Sequence, residues 1–370
     1  MKKKIFISAG DTSGDIHAAK LIKHLKALDN EIDFIGIGGI EMEKTGFFKS
    51  IIPLKEISVV GFWEVAKKIQ LFRKLMKDSL SLIEQENISL FLPVDYPGFN
   101  IELAKNLKKK GNSKIIYYIA PQLWAWGKNR AEKLVNCIDL LLVVFPFEKE
   151  FFNNFKINTE FVGHPLLDDE IFSDDFKNYE DRNYSCIYMP GSRKQEIIKH
   201  LPLLNQTAEI LNKFDPSLEN KLIISNNIDK ELIYSRINNS VHWKFETNSK
   251  EQMRDSLVGV IKTGTSNLEA ALLGIPYNMF YLTSFITYTL GKKLVNIDYL
   301  ALPNIIMKRN VIEEFIQQDA TAEKISNNVI KLIKDKSAYK TMQNDFRNLK
   351  EYIGNAGASA KAAKIILENI

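Results

Sequence analysis

Short apolar runs alternate along the chain with longer stretches in which apolar residues recur every three to four positions. Residues 5–8, 34–36, 90–94, 114–119 and 140–144 are compact apolar runs and predict strands. Residues 15–28 and 100–110 carry the helical period and predict amphipathic helices. After His164 and Pro165 the cycle restarts, and 185–189, 221–225, 258–261 and 277–281 predict a second set of strands, each followed by a helical pattern or a turn. Between the two sets, residues 167–183 are polar and acidic and predict a connector. Residues 338–370 are helical in pattern, broken at Gly354 and Gly357. Alternation of this kind builds βαβ units around a parallel sheet. Two successive sets predict an α/β protein of two Rossmann-like domains facing a cleft. The boundaries expected are 1–166 and 167–350, with a final helix at 351–370 completing the first domain.

The length of 370 residues suits two hydrophobic cores better than one. With 45% hydrophobic and 26% charged residues the chain reads as globular, which sets aside disorder and coiled coil. No apolar run reaches the ~18 residues of a membrane-spanning helix. The start MKKKIFISAG has a basic beginning, but its apolar run is short and Asp11, Asp15 and His17 follow, so it reads as a first strand and its turn rather than a signal peptide. Cys137 and Cys186 lie far apart without metal-type Cys/His spacing, which predicts buried free thiols in a reducing compartment. The net charge of +5 is mild, and no broad basic face with aromatics suggests nucleic acid.

Four turns could carry chemistry. The first, Gly10-Asp11-Thr12-Ser13-Gly14-Asp15-Ile16-His17, joins a strand to a helix, where glycines permit close approach and the helix start offers free N–H groups. It lacks the third glycine of the dinucleotide fingerprint, and a plain turn capped by Ser13 or Asp15 is the competing reading. Pro190-Gly191-Ser192-Arg193 is a similar turn with a guanidinium able to fork onto phosphate. Thr263-Gly264-Thr265-Ser266 opens another helix with Glu269 about one turn inside, where a carboxylate could accept from a ribose diol; Thr265 or Ser266 as a simple cap competes with that. Asp95, in Pro93-Val94-Asp95-Tyr96-Pro97-Gly98-Phe99-Asn100, closes an apolar strand where ligands of open α/β sheets bind, and could take a proton from a sugar hydroxyl or merely bond its own turn.

Two further segments are open. In 58–76, Phe62, Val65, Ala66, Ile69, Phe72 and Met76 fall on one helical stripe, and Lys67, Lys74 and the following Lys77 on another, with Trp63 nearby. The stripe faces either the core or, given its cations and rings, a membrane surface. Trp124 and Trp126, in a run ending at Lys128 and Arg130, form either a binding wall or packing at a domain edge. His164 at the crossover reads as structural.

Taken in order, the strings AGDTSGDIH, FIGIGGIEMEKTGF, SVVGFWEV, PVDYPGFN, APQLWAWGKNR, VFPFEKEFF, FVGHPLLD, MPGSRKQEI, GTSNLEAALLGIP and DYLALPNIIMKRNVIEEFIQQDAT resemble those of the lipid-A-disaccharide synthase family, inverting glycosyltransferases of the two-domain GT-B fold. They cover about 8–321. The resemblance implies transfer from UDP-2,3-diacylglucosamine to 2,3-diacylglucosamine 1-phosphate (lipid X), giving the β-1,6 disaccharide of lipid A biosynthesis and UDP. It implies a second domain holding UDP through Gly191, Ser192, Arg193, Gly264, Thr265, Ser266 and Glu269, with Asn304 and Arg309 nearby. Asp95 matches the family's general base. Ser13 and Gly14 would face the sugar or diphosphate, and His17 is a secondary catalytic candidate. Phe62, Trp63, Val65, Ile69 and Phe72 match its membrane patch, which implies a peripheral enzyme on the cytoplasmic face of the bacterial inner membrane. No metal ion or cofactor is implied. The chain departs from the family at Gly98, where many relatives carry an acid, and at Asn310, also usually an acid. A UDP-N-acetylglucosamine epimerase, or another GT-B transferase of UDP-GlcNAc, is the alternative on the same fold, and a nucleotide-binding regulatory protein is the non-enzyme alternative.

Overall fold

The structure, a computed structural model, describes residues 3–53, 65–111, 113–126, 128–225, 228–238, 240–284, 288 and 298–370, with 53, 65–69, 126, 128–130 and 133 as backbone only. The chain divides into two units, residues 1–168 with 353–370, and residues 169–352.

In the first unit the strands are β1 Lys4–Ala9, β2 Asp33–Gly38, β3 Phe48–Pro53, β4 Leu90–Val94, β5 Lys114–Tyr118, β6 Leu140–Val143 and β7 Thr159–Phe161. They form one parallel sheet in the order β3-β2-β1-β4-β5-β6-β7. Successive side chains of β1 point to opposite faces, as the strand period requires. Ile5, Ile7 and Ala9 pack with the helix Thr12–Leu28 and with Ala362, Ala363 and Ile366 of the last helix, Ala358–Glu368. Phe6 packs on the other face with Phe91, Phe99 and Leu103. The last helix belongs to this unit because the Asp168 carboxylate accepts from the backbone N–H groups of Gly357, Ala358 and Ser359 at 2.7, 2.9 and 2.9 Å, a favourable charge at a helix start.

The second unit repeats the winding with β8 Asn183–Met189, β9 Glu219–Ile223, β10 Trp243–Glu246, β11 Ser256–Lys262, β12 Tyr277–Tyr281 and β13 Glu314–Ile316. The order is β10-β9-β8-β11-β12-β13, again parallel. Each sheet therefore winds one way from its first strand and the other way from its fourth. The reversal falls between β1 and β4 in one unit and between β8 and β11 in the other, and beyond the carboxyl ends of such strands lies the usual ligand site of this architecture.

Two parallel α/β sheets agree with the alternation in the sequence. Edge strands β3, β7, β10 and β13 carry no strand signal there. Residues 167–183 are folded into short turns of helix, Glu170–Phe172 and Tyr179–Asp181 among them, and Phe172 is buried. Cys137 and Cys186 are buried free thiols. Among the described residues no helix is long and apolar enough to cross a membrane.

Candidate active site

In the first unit the turn after β1 runs straight into the helix Thr12–Leu28. The cap is neither Ser13 nor Asp15 but Asp11, whose carboxylate accepts from Gly14 N at 2.6 Å. Ser13 and Gly14 consequently lie inside the first turn, with Ser13 Oγ 3.4 Å from His17 Nε2 one turn on. Asp15 instead faces away, its carboxylate taking N–H groups of Gly39, Glu41 and Met42. Gly10 is required by crowding: a Cβ there would meet the Tyr96 ring at 2.1 Å.

Across the strand reversal, Asp95 directly follows β4. Its φ is +46° and that of Tyr96 is +52°, two consecutive left-handed residues without a glycine. Such backbone costs on the order of 1 kcal/mol per residue or more and persists only where neighbours hold it. Here the Asp95 carbonyl accepts from Asn100 Nδ2 at 2.7 Å and from the Tyr117 hydroxyl at 2.6 Å. Asn100 is itself fixed, donating to Ser8 O and accepting from the Ser8 hydroxyl at 2.7 Å. The Asp95 side chain keeps an edge open to solvent, yet burial, and secondly the Asp11 carboxylate, push its pKa up to about 7. A carboxyl so placed is poised to exchange a proton near neutral pH.

Glu148 is a second acid of this region. Fully buried, it accepts from Trp124 Nε1 at 3.0 Å and from Val144 N and Phe145 N, and burial raises its pKa to about 7. Trp124 is half-buried, edge-on to Phe147; the Trp126 side chain and Gly127 lie outside the described residues. His164 accepts from Leu166 N through Nδ1, and burial lowers its pKa to about 3, so it is neutral and structural.

In the second unit the turns after β8 and β11 flank the reversal, and Met189 pairs with Ile261 in register. Gly191 has φ +115° and a Cβ there would lie 2.4 Å from Glu196 Oε2. Arg193 caps the helix Lys194–Phe214 with its guanidinium largely in solvent. Gly264, at φ +148°, is the cap of the helix Thr265–Leu272, so Thr265 and Ser266 lie in its first turn rather than capping it. Thr265 is exposed, Ser266 half-buried. The pKa of Glu269 is raised by burial, against the pull of Lys250. Gly191, Ser192, Arg193, Gly264, Thr265 and Ser266 are thereby brought together beyond the carboxyl ends of two adjacent central strands of one sheet. The fully buried Asn304 uses its amide internally, accepting from Val311 N and Ile312 N and donating to Ile312 O and Glu314. Arg309 forks onto Asp345, at 2.9 Å through Nη1.

Of the proposed membrane patch, Phe62 and Trp63 and the side chains of Val65 and Ile69 lie outside the described residues. Phe72, on the helix Val65–Gln85, is half-buried and sits edge-on to the Phe99 ring at 5.1 Å. Beside it, Met76 and Leu80 line a groove of about 540 Å³ rimmed by Arg73, Lys77 and Lys110.

Asn100, Tyr117, Glu148, Glu196 and Lys262 carry no role in the sequence reading. Only Asn100 leaves a trace, as a polar residue on the apolar stripe of Phe99, Leu103 and Leu107.

A family model described as Lipid-A-disaccharide synthetase matches residues 5–367. A curated lipid-A-disaccharide synthase from Sulfurihydrogenibium sp. is 36% identical over 98% of this chain and 97% of its own. That of Persephonella marina is 34% identical over 99% of both chains. Among solved structures, UDP-GlcNAc 2-epimerase from Neisseria meningitidis bound to UDP-GlcNAc superposes with a TM-score of 0.68 at 13% identity, over 99% of this chain and 100% of that one. Acinetobacter baumannii MurG gives 0.61 at 12% identity, over all of both chains. At such identities the two structures speak for a shared fold.

Proposed function

The chain belongs to the lipid-A-disaccharide synthase family and is a glycosyltransferase of lipid A biosynthesis, and from that premise we propose that it joins UDP-2,3-diacylglucosamine to 2,3-diacylglucosamine 1-phosphate, with Asp95 as general base. The observation that carries the residue assignment is the convergence of both glycine turns, at Gly191 and Gly264, on the strand reversal of the second unit. In this reading their helix starts and Arg193 hold the diphosphate, and Glu269 the ribose. The acceptor 6-hydroxyl attacks the anomeric carbon as the bond to the diphosphate oxygen breaks, inverting that carbon. UDP leaves with the electron pair, and Asp95 takes the hydroxyl proton. Donors fixed before reaction at the departing diphosphate supply the largest stabilisation. In the same reading Ser13 and Gly14 meet the sugar or diphosphate, and His17 is a secondary catalytic candidate.

Incubation with both acylated sugars and mass analysis of the product tests the activity; UDP release without a lipid acceptor favours the epimerase alternative. Arg193→Ala is expected to weaken UDP binding roughly tenfold, the value of one charge-assisted contact; unchanged affinity in a calorimetric titration removes Arg193 from the site.

Both substrates are acylated, so the enzyme works at the cytoplasmic face of the inner membrane in this proposal, through residues 62–72. Each cation near an anionic leaflet contributes on the order of 1 kcal/mol. The double change Trp63→Ser, Phe72→Ser should shift protein from vesicle pellet to supernatant, and equal pelleting of both proteins refutes the patch.

A further inference from the structure

Three charged side chains meet beyond the carboxyl ends of β8 and β11, the central strands of the second sheet. Lys262, the last residue of β11, reaches back to Glu196 with Nζ 2.9 Å from Oε1. Arg193 Nη1 approaches the same oxygen at 3.4 Å. The other oxygen, Oε2, accepts from Ser192 N at 3.2 Å, in the turn before the helix Lys194–Phe214. Burial alone would raise the pKa of Glu196, but Lys262 and Arg193 carry it below the usual range, so the carboxylate is ionised. Two cations against one carboxylate leave a positive charge over, and the helix start adds to it.

This is the donor set a phosphate group takes: ammonium, guanidinium and a backbone N–H arranged around anionic oxygens. Glu196 occupies it from within, and the absence of a side chain at Gly191 gives its carboxylate the room. His200 fixes the frame beneath, its two ring nitrogens facing Pro190 O at 2.5 Å and Leu282 O at 3.0 Å. Lys262 and Glu196 are each about one-fifth exposed, so their pairing is screened less than a surface ion pair yet remains open to exchange.

We infer that Lys262 is a further diphosphate-binding cation of the donor site, kept in place by a Glu196 carboxylate that stands in for a phosphate until the nucleotide displaces it. The inference deepens the donor-site reading of the Gly191 and Gly264 turns and rests on it. It makes Lys262 a residue that discriminates nucleoside diphosphate from nucleoside, because its partner is charge and not the uracil or ribose.

The test is calorimetric titration of the full chain with UDP and with uridine, for the wild type, Lys262→Met, Lys262→Arg and Glu196→Gln, each with a melting curve. Lys262→Met should weaken UDP about tenfold and leave uridine unchanged, Lys262→Arg should recover most of the loss, and Glu196→Gln should tighten UDP about threefold by removing a competing anion. A Lys262→Met protein that binds UDP like the wild type overturns the role of Lys262. One that melts far below the wild type makes the ion pair structural and overturns it too. Weaker UDP binding by Glu196→Gln overturns the stand-in. A wild type that binds no UDP, or an Arg193→Ala protein that binds it unchanged, removes the donor-site reading itself, which separates the two failures.

Discussion

Replacing Asp95 by Asn should lower turnover by about 10²–10⁴, the usual value of a general base, while UDP affinity stays within twofold of the wild type. Asn is the right substitution because the position is left-handed, at φ +46°. Asn tolerates that region better than most residues, so the strain held by Asn100 and Tyr117 is not newly aggravated. The pH profile gives an independent reading. With its pKa raised to about 7 by burial and by Asp11, the wild-type base loses its proton through neutrality, and kcat/KM should climb with pH and level above about 7. In the Asn variant that limb should vanish. Stability moves the other way. A carboxyl with a folded pKa above its unfolded value binds more protons folded, so its stabilising contribution is present below about 4 and lost as pH rises through about 7. At pH 8 the Asn variant should therefore melt at or above the wild type. Turnover within fivefold of normal, measured as UDP release with both lipid substrates, refutes Asp95 as the base.

The parts of this fold that show in the sequence are those that burial dictates. Strands at the centre of each sheet are buried on both faces and read as apolar runs, as in Leu90–Val94 and in residues 258–261 within Ser256–Lys262. Edge strands bury less: Thr159–Phe161 has three residues and Trp243–Glu246 carries a lysine and a glutamate, so neither rises above loop. Glycine turns were legible because no other residue fits φ +115° at Gly191 or the ring of Tyr96 over Gly10. Asp95 was legible through its place after an apolar strand. Its left-handed backbone was not, because the hydroxyl and amide that hold it come from residues 22 and 5 positions away. Lys262 and Glu196 are 66 residues apart, and only the adjacency of β8 and β11 brings them together. The helix caps erred for a local reason: the first helix begins at Thr12, so the residue before it, Asp11, takes the role given to Ser13 or Asp15.

The largest stability effect is expected at a residue without any motif. Arg182 stands just before β8 and is 7% exposed; among the described residues no carboxylate is hydrogen-bonded to it, although the Asp255 charge lies near enough to favour its ionised form. Its guanidinium instead donates to backbone carbonyls: Met253, Arg254 and Ser256 through Nη1 at 3.1, 2.9 and 2.9 Å, and Leu273 and Gly274 through Nη2 at 3.0 and 2.8 Å. Nε reaches Lys177 O at 3.3 Å. Those carbonyls end the helix Ser249–Asp255, begin β11 and follow the helix Thr265–Leu272, so one planar fork closes three chain segments beneath the second sheet. Arg182→Met fills similar volume but leaves the carbonyls without their donor in a dry site. The cost should be about 3–5 kcal/mol, since each buried carbonyl left unsatisfied costs about 1–3 kcal/mol and some of them will find other partners. At roughly 2–4 °C per kcal/mol for a unit of this size, the second unit's calorimetric transition should fall by roughly 6–20 °C. Arg182→Lys should recover little, since one ammonium cannot span three segments. The contacts lie at the amino ends of β8 and β11, whereas the proposed UDP turns lie at their carboxyl ends, so well below the transition the variant should bind UDP like the wild type. A transition within 2 °C of the wild type rejects Arg182 as the tie of this unit, and a large loss of UDP affinity in protein still folded rejects the separation of the two ends.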